Sequence, residues 1–175
     1  MAAPKLLRIF KIIGVSLIVV LIVIQFIKPE RNNNPEVTAL DFNQMYPIPD
    51  SVHKVLEKAC NDCHSNVTRY PWYANFQPVA WWLNDHIQEG KKELNFSEFG
   101  KRTPPKQAKK LRKIAKEVKE GGMPLESYTW IHKDAVLTEQ EKQMLINWAT
   151  ELSSRISAKW IADSTAKSLG VTASH

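Results

Sequence analysis

Two cysteines are all that this 175-residue chain contains, and they stand together in the run Cys60-Asn61-Asp62-Cys63-His64. No disulfide framework is available to staple the fold, so whatever the pair does is done at one place. A C-x-x-C-H run is the pattern by which two thiols add to the vinyl groups of one porphyrin while the adjacent imidazole takes the iron. On a helix Cys60, Cys63 and His64 are i, i+3 and i+4, so they project to one side and can meet one flat ligand. Two other uses of the pair have to be weighed. A dithiol redox motif usually sits near a βαβ pattern of short apolar strands, and the chain has none. A structural zinc wants four Cys or His ligands, which the pair approaches only with help from His53 or His86. The pattern therefore predicts one covalent haem c per chain, with Cys60 and Cys63 as attachment points and His64 as proximal iron ligand.

The second constraint is the segment Leu6 to Ile27, almost unbroken in apolar residues from Ile12 to Ile24. At about 1.5 Å per residue it spans a hydrocarbon core of about 30 Å. Lys5, Arg8 and Lys11 precede the apolar centre, which by the positive-inside rule keeps the N-terminus in the cytoplasm and sends the rest outside. A cleaved signal peptide is the competing reading, but no small-residue cleavage pattern follows the apolar run, so an uncleaved anchor over residues 1–28 is expected. The location predicted is the bacterial inner membrane, with the C-terminal domain in the periplasm, where covalent haem attachment takes place. The formal charge is +6, yet Lys5, Arg8, Lys11 and Lys28 account for four of the 24 basic residues, leaving 20 against 18 acidic ones. That near balance argues against a nucleic-acid partner, which needs a concentrated basic footprint.

Residues 29–49 are rich in Pro and Asn and read as a tether. A haem-binding helical domain is expected over 50–161. Val52, Val55, Leu56, Ala59 and Cys60 recur with helical period after Asp50, so one helix carries the first cysteine. A second helix from Pro78 to Glu89, ended by Gly90, puts Val79, Trp82, Leu83, His86 and Ile87 on one face and points His86 inward. Glu93 to Thr103 shows no sustained period and reads as a loop. Pro104-Pro105 opens a third helix striped with Ala108, Leu111, Ala115 and Val118. Its remaining faces are crowded with lysines, either a solvated face or a docking patch for an acidic redox protein. Gly121-Gly122 ends it, and Met123-Pro124 follows in an extended loop that presents a thioether to the open face of a haem. Core filling is the other use of such a methionine. Thr138 and Glu141 form a capping box before a last helix with Leu145, Trp148, Ala149, Leu152 and Ile156 on one stripe. Residues 162–175 read as a disordered tail.

Taken together, CNDCHSN, YPWY, PVAWWLNDHI, LNFSEF, GGMPLESY and the Leu137-Thr138 helix opening resemble the bacterial haem-binding domain family over about residues 40–160. The arrangement is also similar to small c-type cytochromes. The resemblance implies an all-α, cytochrome c-like helical domain behind one transmembrane helix, with Cys60 and Cys63 as attachment cysteines and His64 as proximal ligand. Met123 matches the distal methionine of ordinary c-type cytochromes. His86 is the alternative, followed by His132, His53 or an open site. The function expected is single-haem electron transfer at the membrane surface with a redox protein partner. The rival classes are a peroxidase-like enzyme or gas sensor, with His132 and Glu126 as candidate groups, and a haem-free dithiol protein.

Overall fold

The helical periods of the sequence become helices in the computed structural model of the chain, which describes residues 3–169. The apolar segment is α1 (Ala3–Ile24), followed by the single turn α2 (Phe42–Met45). α3 (Asp50–Ala59) and α4 (Asn61–His64) flank Cys60. α5 (Val79–Glu93), α6 (Pro104–Glu120), the short α7 (Glu126–Thr129) and α8 (Glu139–Ser168) complete the chain. Tighter 3-10 turns cover Trp72–Asn75, Phe96–Lys101 and Lys133–Ala135. Among the described residues there is no strand, only an isolated antiparallel bridge between Asn33 and Val67. The fold is all-α, and Lys5–Ile24, with none of its length buried, is long and apolar enough to cross a membrane.

The core forms where α6 lies along α8. Ala108, Leu111, Ala115 and Val118 from the one helix meet Leu145, Trp148, Ala149, Leu152 and Ile156 from the other, all buried. α3 adds Val52, Val55, Leu56 and Ala59 to the same cluster, which fixes the helix end that bears Cys60. The helix boundaries follow from local chemistry. Thr138 and Glu141 exchange hydrogen bonds at the start of α8, Thr138 N–H donating to Glu141 Oε2 at 2.9 Å and Glu141 N–H to Thr138 Oγ1 at 3.2 Å. Gly121 closes α6 at φ 75°, a left-handed cap that only glycine adopts without strain.

Four segments differ from expectation. Within residues 29–49, Asn32, Asp41 and Phe42 are buried against the domain while residues 33–40 are exposed. Phe42 is 1% exposed, and its ring meets Phe99 edge-on at 4.7 Å, Phe96 at 5.6 Å and Trp148 at 5.7 Å. Asn32 is also buried, its amide donating to Ser65 O and Thr68 Oγ1, both at 2.9 Å. The aperiodic stretch after Glu93 is a 3-10 turn, whose tighter winding hides a helical period while it buries Phe96 and Phe99. α5 does not stop at Gly90 but runs to Glu93, and its buried face is Ala80, Leu83 and Ile87, with Val79 and Trp82 exposed and His86 half-buried. α8 continues to Ser168, so the tail expected from Ala162 begins as helix, supported by a Lys159–Asp163 pair at 3.0 Å. The remainder of that tail, 170–175, lies outside the described residues.

Phe42→Ala is expected to cost about 3–5 kcal/mol in chemical denaturation of the full chain, because it empties the centre of an aromatic cluster. A loss of only about 0.5 kcal/mol, the size of an exposed substitution, would return residues 29–49 to the role of a passive tether.

Candidate functional site

The site begins where a helix breaks. Cys60 N–H still donates to Leu56 O at 2.9 Å, closing α3, but the Cys60 backbone turns away at φ −129° and ψ −44°. Cys63 N–H and His64 N–H then donate back to Cys60 O at 3.2 and 3.0 Å. A single turn thus carries both thiols and the imidazole. Against that turn lies Gly90 of α5: a Cβ there would stand 2.7 Å from Cys63 O and 3.0 Å from Cys63 Cβ. The glycine that reads as a helix terminator is the point at which α5 and the motif touch.

This close approach brings the last turn of α5 under His64. Its Nδ1 donates to two carbonyls, Gly90 O at 2.9 Å and Leu94 O at 3.0 Å. Two acceptors at Nδ1 assign the proton to that nitrogen, leaving the Nε2 lone pair free. Burial pushes the His64 pKa down, opposed by the hydrogen bonds to Leu94 and Gly90. A neutral imidazole is the ligating form.

Two adjoining cavities, of about 240 and 290 Å³, open beside this turn and share Ala59, Cys60, His64, Glu93 and Met123 in their walls. Each is close in size to the lower end of cofactor pockets, about 300 Å³, and the walls are largely apolar. The first extends along α6 past Ile114 and Val118; the second takes in Cys63, His86, Pro124 and Tyr128. Met123 lies in the loop after α6, where its N–H donates to Glu117 O at 3.2 Å. His86 donates from Nδ1 to Trp82 O at 2.8 Å, which leaves its Nε2 as the lone-pair nitrogen. The other two candidate histidines line neither cavity. His53 borders a separate space of about 190 Å³ with Phe42 and Leu56. His132 pairs through Nε2 with the Tyr73 hydroxyl at 3.0 Å and stacks on Tyr128 at 4.3 Å. Glu126 is exposed and lines neither cavity.

The electrostatics contain a feature that sequence reading missed. Asp62, inside the motif, is 5% exposed. Its carboxylate accepts from Arg69 N–H at 3.0 Å, Arg69 Nε at 3.2 Å and the Tyr128 hydroxyl at 2.7 Å. Thr68 Oγ1 adds a bond to Asp62 O at 2.6 Å, so the loop leaving the motif is tied back to it. A charge between two cysteines carries no sequence signal for partners seven and 66 residues away. The thiols themselves are held protonated. Burial pushes Cys60 up to about 12, with Cys63 adding to the rise, and burial with the Asp62 charge pushes Cys63 to about 11. Reactive dithiols have the opposite shift. At the cavity mouth Lys113 and Lys110 hold Glu93 at 2.9 and 3.3 Å and keep its carboxyl down at about 2. Among the described residues, no three His, Cys, Asp or Glu side chains cluster in a way that could hold a bare metal ion.

A model of one protein family, described as a haem-binding domain, matches residues 19–151. The chain belongs to the haem-binding domain family. No curated protein and no solved structure matches it. The match includes residues 29–49. The residues present fit a haem: largely apolar walls, a neutral histidine with a free Nε2, and two protonated thiols on the same turn.

Gly90→Ala provides a sharp check on this geometry. In an ordinary helix interior the change stabilises by about 1 kcal/mol. Here the new methyl has to push against the Cys63 backbone, and a net loss of about 1–3 kcal/mol is expected in denaturation, with less haem retained per chain. A net gain in stability would contradict the close approach.

Proposed function

We propose that this chain is a membrane-anchored, single-haem c-type protein that transfers electrons on the periplasmic side of the bacterial inner membrane. The observation that carries the reading is the turn of Cys60, Cys63 and His64 on the cavity wall, with His64 Nδ1 bound by Gly90 O and Leu94 O. Cys60 and Cys63 would hold the ring edge through thioether bonds, and His64 Nε2 would be the proximal ligand. Met123, in the wall of both cavities, is the distal ligand in this reading, with His86 as the alternative. When bound, the haem supplies a one-electron ferric/ferrous couple.

The chain's own part would be to hold His64 and Met123 still and to surround the haem with apolar side chains. The carbonyl pair at His64 fixes the ring tautomer and raises its basicity as a ligand. Asp62, tied to Arg69 and Tyr128, holds the turn that bears the thiols. Protonated, buried thiols do not favour the dithiol reading. α1 spans the bilayer with Lys5, Arg8 and Lys11 on the cytoplasmic side. The lysines of α6 near the cavity mouth give an acidic redox protein a complementary surface, which mainly accelerates encounter.

The test uses the haem-loaded full chain and reads reduction potential and carbon monoxide binding. Met123→Ala is expected to lower the potential and open the ferrous site to carbon monoxide, because a thioether ligand holds the potential high. His86→Ala is expected to change neither. The reverse pattern would make His86 the ligand, and carbon monoxide binding by the unaltered protein would replace electron transfer with sensing or peroxide chemistry.

A further inference from the structure

The end of α1 is bonded to the domain. Gln25 Nε2 donates to Gln77 O at 3.2 Å, and Gln77 N–H donates back to Gln25 Oε1 at 2.9 Å. Gln77 Nε2 and Trp81 Nε1 both donate to Ile27 O at 2.9 Å. A few residues on, Arg31 donates to Asn75 Oδ1 at 2.7 Å and lies over the Tyr70 ring at 4.8 Å. The first residues beyond the apolar helix are thereby pinned to residues 70–81, with no slack between anchor and domain.

That pinned segment exposes large apolar side chains. Trp72 is 75% exposed, Phe76 56% and Trp82 46%, with Val79 beside them and Phe26 exposed at the end of the anchor. The Trp72 and Phe76 rings lie 6.2 Å apart. Scattered exposed apolar residues are ordinary on a protein surface, but these gather where the chain leaves its apolar helix. Tryptophan, with an apolar ring and one polar N–H, settles at the headgroup level of a bilayer. Val79, Trp82 and His86 are i, i+3 and i+7 on α5, and the His86 ring lies 4.3 Å from that of Trp82. One face of α5 therefore runs from the anchor to the wall of the cavity beside His64.

We propose that the face formed by Trp72, Phe76, Val79 and Trp82 lies against the headgroup and acyl boundary of the membrane that α1 spans, holding the domain in one orientation with the His86 edge of the cavity near the lipid surface. This rests on the membrane-anchor reading given above. The occupant is lipid because the hydrogen bonds at Gln25, Gln77 and Trp81 make the face continuous with the anchor. The consequence is that the haem cavity is presented to partners embedded in the same membrane, without a search by a free domain.

The test uses the full chain, haem-loaded and labelled with 5-fluorotryptophan, in phosphatidylcholine nanodiscs, with resonances assigned by single Trp→Phe variants. Line broadening is compared with and without a nitroxide on the lipid acyl chain, and with and without a water-soluble gadolinium chelate. The Trp72 and Trp82 lines are expected to broaden with the lipid nitroxide and to be protected from the chelate, while buried Trp148 responds to neither. Phe76→Gln with Val79→Gln is expected to weaken the lipid broadening several-fold. Phosphatidylcholine carries no net charge, which excludes net attraction through the lysines of α6 as the cause. Trp72 and Trp82 lines broadened by the chelate and not by the lipid overturn the proposal alone. Failure of the full chain to float with phosphatidylcholine vesicles overturns the anchor reading and this proposal with it.

Discussion

Everything distinctive in this fold depends on the pair of carbonyls beneath His64. A histidine on a single helical turn can carry its proton on either ring nitrogen and has a ring free to swing; Gly90 O and Leu94 O remove both freedoms. They can do so only because residue 90 has no side chain, since a methyl there would stand 2.7 Å from Cys63 O. The approach of α5 to the motif, the tautomer of His64 and the position of the thiols are therefore one constraint seen from three sides. Asp62 completes it by tying the outgoing loop through Arg69 and the α7 tyrosine.

The same helix joins the site to the end of α1. The N-terminal end of α5 is bonded to the exit from α1 through Gln77 and Trp81, and its C-terminal end supplies the carbonyl at His64. An α-helix of 15 residues thus runs from the end of α1 to the site. Residues 29–49 reinforce it, Asn32 bonding to the loop after the motif while Phe42 fills the aromatic centre of the core.

How much of this was legible in the sequence varies by element, for physical reasons. α3, α6 and α8 were readable because each buries one clean stripe, and the capping box and Gly121 mark their boundaries with groups whose chemistry is local. α5 was misread twice. Its true face is Ala80, Leu83 and Ile87, but larger residues on the exposed side, Val79 and Trp82, drew the period toward themselves. Gly90 looked like a terminator because the close contact that requires it comes from Cys63, 27 residues earlier. Residues 29–49 looked like a tether because their polar side chains suit solvent as well as they suit the backbone they bond. At the site, Cys60, Cys63, His64 and Met123 could be named from motif and loop composition, whereas Asp62, Tyr128 and the carbonyl pair have partners distant in sequence and leave no periodic trace.

The central claim is that this turn holds a haem through both cysteines. Its most direct measurement is the intact mass of the full chain, matured in a host competent for c-type haem attachment and then denatured and extracted with acidified organic solvent. One haem added to the polypeptide mass after extraction, lost when Cys60→Ser and Cys63→Ser are combined, is the result predicted. A bare polypeptide mass from the unaltered chain, with the haem in the solvent, would show a non-covalent site and contradict the account.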